Sequence, residues 1–444
     1  MAFLRREKYI FVMRRSCLIF SMILSICIID ITEAQVTQTS MELTVEEAVK
    51  TALDNNLGLQ QSAIELGGKK RAQDRSWNSL IPQVSAGAVA SYPTSITGSV
   101  PAGQDIWTTG FQMSASLGLS IGIIDNIKKA KADYEAGVIS YEQARQDLEI
   151  QVRKLFYQII LLLANRELAA QSLENARYRY EQITTLVSVG QSAHLDELSA
   201  RVDMENKRPV LRNAEMTYNN ALDSLKLLLG IPVEHEITLN GLLDTDAGVY
   251  LTLNNRQAMQ GESLEITALM KSMEILEAQR NAARNSAYIP NLRLSWNSAP
   301  LYSDNVWRDN SGSFSVTLSM NLDNFLPWSA AKTQIDNIND SISSTQIQLN
   351  ESVLNRENRT NQLLRVIANT GENIEILKLN VELAQSTYDL YVDAYRSGAM
   401  DYQRLRDAAE SLLQAQIQVQ QEQYNLISAV LDLEKELNIP FGTL

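Results

Sequence analysis

Four sets of residues recur in this chain at one fixed distance. Ile81-Pro82 returns as Ile289-Pro290, the pair Ala176 and Tyr180 as Ala384 and Tyr388, Gly190 as Gly398, and Leu229-Gly230-Ile231-Pro232 as Leu437-Asn438-Ile439-Pro440, always 208 positions on. A constant offset at four separate places marks a tandem duplication, and each copy must build the same supersecondary unit. The register slips by one only after the glycines, where Leu198 matches Leu405. The domain reading is a leader over 1–34, a first repeat over 35–242 and a second over 243–444.

Each copy reads as helix, strand, strand, long helix, turn, helix. The first helices are expected over 45–80 and 264–287, stopped by Pro82 and Pro290, which lack an amide and restrict the residue before them. Apolar residues then alternate with polar ones, the period of a strand with one apolar face. Val84, Ala86, Ala88, Ala90 and Tyr92 lie on one face, as do Phe111, Met113, Ala115, Leu117, Leu119 and Ile121. In the second copy Leu292, Leu294 and Trp296 answer Phe314, Val316, Leu318, Met320 and Leu322. The spacing predicts strands over about 83–92, 111–121, 291–298 and 314–322, long enough to cross a bilayer at a tilt. The joining stretches, 93–110 and 299–313, read as polar loops whose Trp107, Tyr302 and Trp307 suit a membrane surface. Soluble hairpins at the edge of a sandwich are the alternative.

Long helices are expected over 126–188 and 330–396, followed by helices over 195–229 and 402–437. Steps of seven from Ile127 meet Tyr134, Tyr141, Leu148, Leu155, Leu162, Ala169, Ala176, Ile183 and Gly190, with Val138, Val152 and Ile159 among the companions. From Ile335 the same steps meet Ile342, Leu349, Arg356, Leu363, Thr370, Leu377, Ala384, Tyr391 and Gly398, with Val353, Ile367 and Ile374 among the companions. A sustained 3.5-residue period means left-handed coiled-coil packing. About 63 helical residues span ~95 Å, and the two shorter helices of a copy, laid end to end, match that length.

Composition agrees with this plan. Only 19 glycines and 9 prolines in 444 residues leave little room for a turn-rich fold. A net charge of −13 excludes nucleic-acid binding through phosphate neutralisation. Two histidines and two cysteines supply almost no material for a zinc, thiol or Ser-His-Asp site, so no catalytic residue, cofactor or metal is assigned. His194 and His235 are read as unliganded.

Arg5, Arg6, Lys8, Arg14 and Arg15 precede an apolar run over 17–31 and a small-x-small Thr32-Glu33-Ala34, a secretory leader, with Met13 an alternative start. Its removal takes five of the 39 basic and three of the 52 acidic residues, leaving a net charge near −15, and takes both cysteines. Cys27 follows a bulky Ile26, which disfavours lipidation. The link over 233–257, with Asp244 and Asp246, lacks a calcium-loop pattern and is read as a small solvated domain.

On these residues the chain resembles the TolC-like outer-membrane efflux protein family over 41–444. The resemblance is carried by Leu43-Thr44-Val45-Glu46-Glu47-Ala48-Val49 with Ala52-Leu53 and Asn55-Asn56, by the two Ile-Pro strand entries, by the turns at Gly190 and Gly398, and by the closing Leu-Gly-Ile-Pro. It implies a mainly α fold with transmembrane β: a homotrimer whose twelve strands form one outer-membrane barrel, continued by a periplasmic α-barrel of twelve coiled-coil helices. It implies an exit duct in the outer membrane that serves drugs, metals or secreted proteins, driven by an inner-membrane pump through a periplasmic adaptor docked at the helical tip. The partners are outer-membrane lipid, the adaptor and the pump, with no nucleic acid. A soluble periplasmic coiled-coil adaptor is the other reading.

By the same resemblance Tyr395, three residues before Gly398, and Asp196, six after Gly190, occupy gate positions, with Asp401, Arg404 and Asp407 beside them. Gly190 and Gly398 mark the tip turns where an adaptor docks. Two departures stand out. The strand-to-helix corners read Ile121-Gly122-Ile123-Ile124-Asp125-Asn126 and Leu322-Asp323-Asn324-Phe325-Leu326-Pro327-Trp328 in place of the usual Pro-Leu-Phe-Asp-Gly-Gly. Arg404 stands where the pattern asks for the first of two acids, implying a mixed and less cation-selective ring.

Overall fold

The computed structural model describes residues 41–92, 108–243, 263–303, 306–308 and 312–444; the expected leader with Cys27, Trp107, Asp244 and Asp246 lie outside the described residues. The described residues fall into a small unit, Met41 with 235–237, and a large one within 42–234 and 238–444, which holds the described helices and the main sheet.

A short strand β1 (Met41–Leu43) leads into α1 (Val45–Asn55), whose start is fixed by a capping box: Thr44 Oγ1 accepts from Glu47 N and the Glu47 carboxylate accepts from Thr44 N. The helix expected over 45–80 is broken. Asn56 takes an extended conformation that ends α1, and its side-chain oxygen accepts from Leu59 N at 3.0 Å to start α2 (Leu57–Asp74). Its amide donates to Leu228 O, 172 residues on, at 2.9 Å, so a distant helix end holds the break in place. A 3₁₀ turn (Ser76–Leu80) then delivers the chain to Pro82.

Strands β2 (Gln83–Ser91) and β3 (Thr108–Leu119) form an antiparallel hairpin. Next come α3 (Gly122–Ser188), α4 (His194–Leu229), a three-residue strand β4 (Ile237–Leu239) and α5 (Leu264–Tyr288). The second hairpin begins with β5 (Asn291–Ser298). Two short strands, β6 (Leu301–Ser303) and β7 (Val306–Arg308), pair with each other inside the stretch expected as loop, and Tyr302 packs against Trp307. Strand β8 (Ser313–Ser319) stops three residues short of expectation. Its partner β5 starts at Asn291, opposite Ser319, because Pro290 has no amide to extend the ladder. After a 3₁₀ turn (Leu322–Phe325) come α6 (Ala330–Arg396) and α7 (Tyr402–Leu437).

The helices keep the offset of the sequence: α3 and α6 each have 67 residues and begin 208 apart, and α4 and α7 each have 36. At ~1.5 Å per residue α3 is about 100 Å long. It begins at Gly122, four residues early, and its buried Asp125 accepts from Asn285 of α5 at 2.6 Å, which pins the atypical corner.

The four main strands run β2, β3, β5, β8, each antiparallel to the next. The register places Ala86 opposite Met113, Ala115 opposite Trp296 and Trp296 opposite Phe314, so the apolar residues of all four strands share one face. That face is bare: Val84 is 73%, Phe314 67% and Leu318 69% exposed. The other face carries serine pairs, Ser85 with Ser114 and Ser295 with Ser315, both at 2.7 Å.

Burial along α3 follows the heptads at Leu148, Val152, Ile159, Ala169, Ala176 and Ile183, but Val138 is exposed. On α6 Ile367, Thr370 and Ile374 are buried and Val353 is exposed. Ile367 and Ile374 pack on Leu426, Val430, Leu433 and Leu437 of α7. Ion pairs Lys154–Asp432 (2.7 Å) and Asp147–Lys435 (2.6 Å) tie α3 to α7, and Arg153 of α3 grips Glu46 of α1 through two bonds of 2.9 Å. Among the described residues no helix is long and apolar enough to cross a membrane.

Candidate gate and docking tip

The two turns at the helical tip are copies of each other. Gly190 and Gly398 have φ of +76° and +72°. Each closes the preceding helix with the same pair of bonds: Gly190 N to Val187 O and Gln191 N to Leu186 O, then Gly398 N to Tyr395 O and Ala399 N to Ala394 O. Nothing lies within 4 Å of a Cβ at either position, so backbone conformation rather than space demands glycine.

The helices that leave these turns start differently. Asp401 caps α7, its carboxylate accepting from Arg404 N at 3.0 Å while the Arg404 guanidinium lies 4.0 Å away. Helix α4 has no side-chain cap; its first turn carries Asp196, which accepts from Ser192 Oγ at 2.9 Å, and Glu197, beside His194 at 2.9 Å. Acids in a first turn favour the positive helix end.

Tyr395 meets Tyr402 edge to face, ring centres 6.1 Å apart. Burial, then the Asp196 charge, push the Tyr395 phenol up, so it stays a neutral donor. Of the five gate candidates, Asp196 and Tyr395 interact between the two hairpins, the acid's charge acting on the phenol. Asp401 and Arg404 pair within the α7 cap, and Asp407 pairs with Arg406 at 3.1 Å on an exposed surface.

A second set of residues was not picked out from the sequence. Tyr402 is 3% exposed and packs with Ile183 of α3 and Ala200 of α4. Its hydroxyl donates to Asp203 of α4 at 3.3 Å. Arg179 of α3 lies 3.8 Å from the same carboxylate and donates to the Tyr388 hydroxyl of α6 at 3.4 Å. Desolvation, then the Asp203 charge, push the Tyr402 phenol far above its ordinary range, which keeps the donor proton in place. The four polar groups tie the α3–α4 hairpin to the α6–α7 hairpin. Burial of Arg179 in the heptad seam between Ala176 and Ile183 was the available signal, since a buried guanidinium needs partners. Among the described residues no group of three or more His, Cys, Asp or Glu is placed to hold a metal ion.

Residues 48–231 match the family model described as outer membrane efflux protein. A curated relative from Pseudomonas putida, the toluene efflux pump outer membrane protein TtgF, is 22% identical over 400 residues, covering 88% of this chain and 82% of that protein. Among solved structures, the outer membrane protein VceC of Vibrio cholerae superposes with a TM-score of 0.74 at 16% identity, covering 89% of this chain and 96% of that one. The CmeC outer membrane channel of Campylobacter jejuni gives a TM-score of 0.74 at 14% identity over 88% and 85%.

Proposed function

We propose that this chain, a TolC-like outer-membrane efflux protein, is a passive exit duct that closes only as a homotrimer. Three copies of the sheet make a twelve-stranded barrel, and three sets of helices continue it as a periplasmic tunnel. An inner-membrane pump supplies the energy through an adaptor docked at the tip around Gly190 and Gly398. The two repeats, over 35–242 and 243–444, build the two halves of each wall.

The observation that carries this reading is the sheet. It is apolar and bare on one face, polar on the other, and among the described residues open at both edges, since β2 pairs there only with β3 and β8 only with β5. In lipid an open edge leaves backbone groups unpaired at several kcal/mol each, so such a sheet spans a bilayer only when other copies close it. The helices support the same symmetry. Helix α4 packs on α3, α3 on α7, and α7 on α6. The end members bear exposed apolar stripes: Leu195, Leu198 and Val202 on α4, and Ile376, Leu379, Leu383 and Leu390 on α6. Their i, i+3, i+7 spacing fits a coiled-coil seam between neighbouring copies.

The reading places Asp196, Tyr395 and the Arg179–Asp203–Tyr402–Tyr388 set at a gate that opens when the two hairpins part. Fractionation with denaturing electrophoresis tests the whole. A heat-sensitive trimer extracted from outer membranes is expected; a soluble periplasmic monomer would overturn the duct and favour an adaptor-like protein.

A further inference from the structure

Arg293 is the one charged side chain on the described residues of β2, β3, β5 and β8. It stands on the polar face, with Gly118 of β3 on one side and Thr317 of β8 on the other. Nothing lies within 4 Å of a Cβ at Gly118, so the space beside the guanidinium is open. Arg293 is exposed and makes no ion pair among the described residues. It borders a recess at the foot of the sheet, where Gln83, Ser116, Asn291 and Ser319 supply neutral polar groups and no carboxylate.

We propose that Arg293 is an anion-recognition site inside the barrel. This rests on the duct reading, in which the polar face lines the lumen and threefold symmetry gathers three guanidiniums at one level. A guanidinium fork matches a carboxylate, sulfonate or phosphate bidentately, and a ring of arginines is a known way for a pore to favour anions. The helix ends at the same foot of the sheet add Lys128, Lys129 and Arg284, none ion-paired among the described residues. Asp125 and Asp323 stand at the same corners, Asp125 buried and bonded to Asn285, and low-dielectric walls concentrate the net field of these groups in the lumen. The ligand class is a solute with two or more anionic groups, held transiently on its way out.

Citrate, whose three carboxylates suit a threefold ring, is the probe. Purified full-length protein in planar bilayers is exposed to citrate first on the barrel side and then on the tip side. The site requires a current block stronger from the barrel side, weakened by about tenfold or more in Arg293→Gln and only in part in Arg293→Lys, which keeps the charge and loses the fork. Pores that citrate leaves untouched, or that it blocks equally in Arg293→Gln, overturn the site and leave the duct standing. A protein that forms no pores overturns the duct reading, and the site with it.

Discussion

Removing the Tyr402 hydroxyl separates the polar tie between the hairpins from the packing around it. Tyr402→Phe keeps the ring against Ile183 and Ala200 and deletes only the bond to Asp203. A hydrogen bond to a charged acceptor contributes about 1.5–3 kcal/mol. At 3.3 Å this one is long, so the lower end applies, about 1.5 kcal/mol. If the hairpins must part for the tip to open, that difference appears whole in each protomer's closed-to-open equilibrium and multiplies its open-to-closed ratio by roughly ten, so the channel's open fraction rises by at least that factor while it is small. Single-channel recording in planar bilayers reads the open fraction directly. The phenol remains protonated well past its ordinary value of 10.0, so the increase should be constant between about pH 6 and 9. Asp203→Asn should open the tip further, because it also deprives Arg179 of its anion, and the double variant should show coupling. An unchanged open fraction in Tyr402→Phe, or strict additivity with Asp203→Asn, would refute a gating role for the tie.

Glu434 is fully buried, and its carboxylate accepts from Gly442 N, Thr443 N and Leu444 N at 2.9, 2.8 and 2.9 Å. Glu434→Ala should destabilise the fold by about 2–3 kcal/mol, the amides of the partly exposed tail turning to water; hydrogen exchange at those amides should speed up. Burial raises the Glu436 carboxyl above 4.5 despite Arg359 and Arg356, so the fold disfavours its anion. That penalty is full above the raised pKa and vanishes below the ordinary one. Glu436→Gln should therefore raise the melting temperature at pH 8 and leave it unchanged at pH 4. Arg404 is exposed and offset by Asp401, so Arg404→Asp should shift the reversal potential in a salt gradient toward cation selectivity. No shift would place Arg404 outside the conduction path.

The strands and long helices were legible because their signals are local. Pro82 and Pro290 stop helices wherever they stand, the two-residue period of Phe314, Val316 and Leu318 survives without knowledge of the partner strand, and the heptads of α3 need only one neighbour. What escaped depends on contacts remote in sequence. Asn56 caps α2 locally, but its break is also held by Leu228 O, 172 residues away, which receives its amide. Strand β8 ends at Ser319 because Pro290 limits β5. The tie at the tip depends on how the two hairpins are rotated about each other, which brings Asp203 beneath Tyr402, 199 positions apart. Asp401 also caps α7 by accepting from Arg404 N, a role that an Asp just before a helix start signals locally.

The central claim is that β2 of one copy meets β8 of the next, and a disulfide tests it most directly. Both cysteines, Cys17 and Cys27, lie within the expected leader, so introduced ones report alone. Within one protomer β2 and β8 are three strand spacings apart, about 14 Å, beyond the ~7 Å Cα limit for a disulfide. Polar-face pairs stepped along the strands, such as Ser85→Cys with Thr317→Cys and Gly87→Cys with Ser315→Cys, are oxidised in outer membranes and run on denaturing gels. The duct predicts that a pair in register yields covalent dimers and trimers and no larger species, while each single variant stays monomeric. Monomers in every pair, or a ladder extending past the trimer, would contradict it.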